Sequence, residues 1–183
     1  MHLLVASIAC LGPGCSTAPK QRDQATVVAD SLSATRWFRN NVRGLGAQLD
    51  NSAGFICYPG IGRYGILITG GQFGRGVVYD NNHRQVGWAY INTVSAGLQV
   101  GVQGYKMLVV FEDAATMRRF QRNKLTGNVS ATVVVVEAGA VGTASFTDGV
   151  AVYQGGQTGL MAGASVGLDY MRFEAAEFIA RAP

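Results

Sequence analysis

Between residues 21 and 43, Val27, Ala34, Phe38 and Val42 recur at helical spacing, with Val28 and Leu32 beside them, and form one apolar arc. The spacing predicts an amphipathic helix closed by Gly44, because glycine readily takes the left-handed conformation that ends helices. Arg36, Arg39 and Arg43 form a basic stripe flanking that arc, and Trp37 lies on another face. After Pro59 the period changes. The runs GILITGG, RGVVYD, QVGWAYI, SAGLQVGVQ and YKMLVVF have strand length and are rich in β-branched or aromatic residues. Asp80-Asn81-Asn82-His83 predicts the turn of an antiparallel hairpin between RGVVYD and QVGWAYI. Asp113 is placed to cap a short helix through Lys124, with Met117 and Phe120 inward and Arg118, Arg119 and Arg122 outward. ATVVVVEA, GVAVYQG and TGLMAGASVG predict further strands, and Met171 to Ile179 predicts a short amphipathic helix.

Composition sharpens this picture. With 183 residues, 48% of them hydrophobic, the chain suits one domain with a proper core. Only 14% of residues are charged, against roughly 25% in average proteins, while glycines number 25. Gly97 and Gly101 are four apart, as are Gly159, Gly163 and Gly167, so each set shares one strand face and lets a sheet curve sharply. The same G-x-x-x-G spacing is a weak sign of a membrane helix pair, since Gln154 and Gln157 interrupt the segment. The strands also lack the regular aromatic girdles of an outer-membrane barrel.

The first fourteen residues, MHLLVASIACLGPG, hold a short apolar run ending in small residues before Cys15. This reads as a signal peptide over residues 1–14, a tether over 15–20 and a single domain over 21–183. Cys15 is the expected lipidation site of a bacterial lipoprotein, although Gly12 and Pro13 depart from the usual residues before such a cysteine and a basic start is missing. Cys57 would then be the other cysteine of the mature chain, which excludes an intramolecular disulfide. Its apolar neighbours predict a buried, inert thiol. The net charge of +4 suits an anionic partner, and for an exported protein phospholipid headgroups fit better than nucleic acid.

Two motifs imitate enzyme signatures. Gly60, Gly62 and Gly65 have the G-x-G-x-x-G spacing of dinucleotide loops, but that mechanism needs a helix whose first amides face the phosphates. Here Ile66-Leu67-Ile68-Thr69 continues as a strand, so the glycines read as turn and sheet-closure residues. GASVG places Ser165 in a nucleophile-elbow pattern, which demands strand, serine, helix and a histidine base. The one mature histidine, His83, stands upstream in the expected turn. One histidine and one free cysteine also exclude the usual His/Cys zinc site. Asp148, Asp169 and the pair Glu112-Asp113 show no spacing of a two-carboxylate site. Arginine grips phosphate through a planar fork, which singles out Arg63 in the glycine turn and Arg75 beside strand glycines.

The order of these motifs resembles the SYLF domain family over roughly residues 45 to 168. Pro59, Arg63 and Gly65 match a proline, basic residue and glycine of that family, and GGQFGRG from Gly70 to Gly76 matches its glycine-aromatic-basic run. Gly87-Trp88, the segment from Gly97 to Phe111 and the block from Gly159 to Ser165 follow in family order. Lys106 stands where an acidic residue is frequent, and the tail after Leu168 departs from the pattern. The resemblance implies an α+β fold, a mainly antiparallel, strongly curved or barrel-like sheet with an N-terminal helix and a few short helices around it. It further implies binding to acidic phospholipids, phosphoinositides included, and no catalysis or cofactor. Bacterial members are typically exported, often as lipoproteins.

The combined expectation is a non-enzymatic phospholipid-binding module of the cell envelope, anchored through Cys15 on the periplasmic face of the outer membrane. Arg36, Trp37, Arg39, Arg43, Arg63 and Arg75 are its expected headgroup contacts, with no metal. The rival expectation is a structural or protein-interaction module like the family's filament-binding members.

Overall fold

The computed structural model describes residues 21–66, 69–96, 100–124, 132–136, 141–162 and 171–176. Cys15, the expected signal peptide and tether, Gly97 and the whole of GASVG with Ser165 lie outside the described residues.

Helix α1 (Gln21–Asn41) leads through a short strand β1 (Val42–Arg43) to helix α2 (Leu45–Asp50). Four long strands follow: β2 (Gly54–Ile66), β3 (Thr69–Asp80), β4 (Gln85–Ala96) and β5 (Val100–Phe111). Helix α3 (Ala114–Gln121), β6 (Thr132–Val136), β7 (Val141–Gly142), β8 (Val150–Ala162) and β9 (Met171–Ala175) complete the order. The main sheet has seven strands in the order β6-β8-β5-β2-β3-β4-β9, antiparallel throughout except for the parallel β6–β8 pair. This is the mainly antiparallel α+β architecture expected from the sequence.

Each face of the sheet carries its own core. Phe55, Cys57, Val77, Tyr79, Leu108 and Val110 pack beneath α1, which contributes Ala34 and Phe38. Alternate residues of the same strands, Ile56, Tyr58, Val78, Met107, Val109 and Phe111, pack on the opposite face with Met117 and Phe120 of α3. The period of two along a strand makes this division, since neighbouring side chains point to opposite faces. In a flat sheet β5 and β9 would stand four spacings apart, about 19 Å. Yet Phe120 stacks on Phe111 of β5 at 5.2 Å and meets Phe173 of β9 edge-on at 5.7 Å. The sheet therefore curls around α3. Among the described residues its edge strands β6 and β9 do not pair, so the sheet is curved without being closed into a barrel by strand pairing.

Several local expectations are corrected. PGIGRYG is not a turn: β2 runs straight through it, paired with β3 on one side and β5 on the other, and absorbs an irregularity in register between Tyr58 and Ile61. Pro59 falls at that irregularity, where a missing amide costs the ladder least. GVAVYQG and the start of TGLMAGASVG are one strand, β8. Met171 to Ala175 is a strand where a helix was expected, because β4 offers an edge and Met171 and Phe173 alternate with Arg172 and Glu174 at strand period. Finally, α1 stops at Asn41, so Arg43 leaves the helical stripe and pairs in β1 with Gly142 of β7. Among the described residues no helix is long and apolar enough to cross a membrane.

Candidate functional site: two arginine-bearing grooves

The six sequence-selected side chains do not form one cluster. Arg36 and Arg39 come together on an exposed flank of α1, one turn apart and both exposed. They line a shallow groove of about 220 Å³ with Leu32, Thr35, Phe55, Tyr79 and His83. Helix geometry sets the arginine spacing, and the β3–β4 turn brings in His83, held in the left-handed region with φ of 58°. His83 Nε2 lies 3.3 Å from Asp50 Oδ1, and its ring meets Phe55 edge-on. Arg36 donates from Nε to the Leu32 carbonyl at 3.3 Å, and neither Arg36 nor Arg39 pairs with a carboxylate among the described residues. Leu32 is 47% exposed beside them. Two guanidinium groups over a partly apolar floor are chemically suited to a phosphate attached to an apolar body.

The other four occupy separate places. Trp37 is half-buried against its own domain, edge-on to Phe38 at 5.1 Å, with the Lys106 ammonium 5.5 Å from its ring centroid. Arg43 is exposed on β1. Arg63 is buried on the α3 side of the sheet, where it donates to Gln72 Oε1 at 3.3 Å and lies over the Tyr105 ring at 5.2 Å. Tyr105 donates to the same Gln72 oxygen at 2.9 Å, and burial raises its phenol pKa against the lowering influence of Arg63. An arginine inside a sheet, tied to a glutamine and a tyrosine, is a structural arrangement that the glycine-turn reading of this segment did not anticipate.

Arg75 belongs to a second, larger cleft. Val27 of α1, Pro59 and Gly60 at the irregularity of β2, Phe73 and Gly74 of β3, and Tyr90, Ile91 and Asn92 of β4 line it with Arg75, enclosing about 410 Å³. Arg75 and Tyr90 are direct cross-strand partners. The Tyr90 hydroxyl is buried without a hydrogen-bond partner among the described residues. Burial pushes its pKa up to about 12, with Glu174 adding to the rise and Arg75 and Arg172 opposing it. Arg172 sits 5.6 Å over the Tyr90 ring and pairs with Glu174 at 3.3 Å. Phe73 in this cleft is 59% exposed.

Sequence reasoning missed Tyr90, Phe73 and His83 as site residues. Counting outward from the Tyr79–Gln85 pair beside the hairpin turn would place Ala89 opposite Arg75, and a register shift between Val78 and Tyr79 brings Tyr90 there instead. No sequence signal existed for the approach of His83 to α1. The dinucleotide spacing has no helix behind it: Gly62 lies under the Phe73 ring and Gly60 faces open space. Cys57 is fully buried, its Sγ 3.4 Å from the Ser31 carbonyl, and burial pushes the thiol up to about 11. Among the described residues no group of three His, Cys, Asp or Glu side chains could hold a metal ion.

No protein-family model matches the chain. It is similar to the beta cell expansion factor A of Aeromonas veronii, with 25% identity over 152 residues that cover 81% of this chain and 57% of that protein. The chain thus spans little more than half the length of this relative.

Proposed function

We propose that this protein is a non-enzymatic phospholipid-binding module of the SYLF type that docks on anionic membranes through the arginine-bearing flank of α1. The observation that carries the reading is the pairing of Arg36 and Arg39 beside exposed Leu32 in a groove where neither guanidinium meets a carboxylate among the described residues. Such a face gains by meeting phosphate, and near an anionic surface each cation contributes about 1 kcal/mol. Arg43 adds charge further along. The curved antiparallel sheet, the ordered glycine motifs and the distant similarity to beta cell expansion factor A support the family assignment. Export and anchoring through acylated Cys15 in the bacterial cell envelope belong to the same proposal. An acyl anchor supplies tethering, and the arginine groove supplies orientation and headgroup preference.

Flotation of the unlipidated domain with vesicles tests this. Binding to vesicles containing phosphatidylglycerol, weakened by added salt and absent with purely zwitterionic vesicles, is expected, since screening shortens the reach of surface charge. Equal binding to both vesicle types, or none to either, overturns it.

A further inference from the structure

The geometry points to a second lipid-type site, the cleft under the start of α1, that takes one single-chain anionic amphiphile: the chain against Val27, Pro59 and Phe73, the acidic head between Arg75 and the Tyr90 hydroxyl. The cleft's size, about 410 Å³, falls within the roughly 300–1,000 Å³ typical of small-ligand pockets. Its walls are largely apolar, which excludes a free polar anion as the natural occupant. Two polar features then set the head chemistry. Tyr90 is 5% exposed, and its hydroxyl has no hydrogen-bond partner among the described residues. A buried hydroxyl left unmatched is unfavourable, so the site is completed by a ligand atom that accepts a hydrogen bond. Arg75, directly across the strand pair and exposed at the rim, selects a negatively charged acceptor. The nearby acid, Glu174, is already paired with Arg172. Carboxylate and phosphate heads share the required chemistry.

The irregularity in β2 creates this space. Gly60 stands there with no described residue within 4 Å of where its Cβ would be, and it does not occupy the left-handed region. A leucine at that position is therefore accommodated by the backbone and projects into open space at the cleft. The site is distinct from the groove of Arg36 and Arg39, so the fate of one reading does not decide the other.

The test is calorimetric titration of the protein with dodecyl phosphate and dodecanoate, both below their micellar concentrations, alongside dodecyltrimethylammonium and inorganic phosphate. One-to-one binding of the two anionic amphiphiles is expected, with the cationic one at least tenfold weaker and inorganic phosphate not bound. Tyr90→Phe should weaken dodecyl phosphate about tenfold while leaving Tm unchanged or raised, because it removes an unpartnered hydroxyl. Gly60→Leu should abolish binding of both anionic amphiphiles yet still float with anionic vesicles. No saturable binding to the wild type, equal affinity for the cationic probe, or undiminished affinity in folded Gly60→Leu overturns the inference. Flotation, which reports on Arg36 and Arg39, then still judges the membrane-surface reading independently.

Discussion

The indole of Trp37 on α1 lies over Gly155 of β8, so close that a Cβ there would stand 2.6 Å from the ring and 2.7 Å from the Val136 carbonyl. This contact fixes how the helix sits on the sheet near the β6–β8 edge. Gly155→Ala should destabilise the fold by about 1–3 kcal/mol, the usual cost of overpacking. Urea denaturation measures it. Gly142→Ala, where a Cβ would meet no described residue within 4 Å, is the control expected to stay near wild type.

Phe120 is the bridge between β5 and β9. Fully buried, it stacks on Phe111 and meets Phe173 edge-on. Phe120→Ala should cost about 3–5 kcal/mol. Because Asn123 also binds β9, accepting from the Phe173 amide at 2.7 Å, hydrogen exchange in β9 should survive partly in that variant and fall further when Asn123→Ala is added.

Asp113 caps α3 by accepting from the Ala115 amide at 2.7 Å and the Thr116 amide at 2.9 Å. Hydrogen bonds from the Thr116 amide and hydroxyl, then that of Ala115, hold its carboxyl below the usual carboxylate range. A folded pKa below the unfolded value makes the stabilisation fully present above the ordinary value of about 3.9 and loses it as pH falls through the folded value. Asp113→Asn should therefore unfold at a lower temperature than wild type at pH 7. The gap should narrow as pH is taken below the ordinary carboxylate value, which thermal melts across pH would record.

Arg36 and Arg39 are expected to act together. Replacing both by glutamine should remove about 2 kcal/mol of attraction to an anionic surface, roughly thirtyfold in vesicle affinity. Arg118→Gln with Arg119→Gln removes equal charge from α3 and should leave affinity within threefold of wild type. Matching losses in the two variants would show that net charge, not the α1 groove, drives binding.

Cys57 should resist modification. With its pKa near 11 the thiolate fraction at pH 8 is on the order of 10⁻³, and the sulfur is buried. A thiol reagent should react within the mixing time only after denaturant is added.

Much of the fold was legible because local rules and global packing agree. Ala34 and Phe38 lie on the buried arc that the helical period marked, Asp80 begins the turn its residue type suggested, and Asp113 caps the helix expected to follow it. The segment expected as a helix from Met171 to Ile179 was misread over Met171 to Ala175 because a short amphipathic segment satisfies a helix or a strand, and the open edge of β4 decides between them. Arg63 was misread for a related reason. Glycine-rich sequence permits a turn, but partners on both sides, β3 and β5, hold it as a strand and bury the arginine among Gln72 and Tyr105.

The sequence by itself determined the α+β class, the hairpin at Asp80, the capped α3 and the basic face of α1, since periodicity, turn chemistry and capping act over a few residues. Only the tertiary structure decided that Arg75 faces Tyr90 across a cleft, that Arg36 and Arg39 share a groove with His83, and that Phe120 draws β5 and β9 together. Those relationships join residues distant along the chain, and strand register and sheet curvature, set by the whole core, place them.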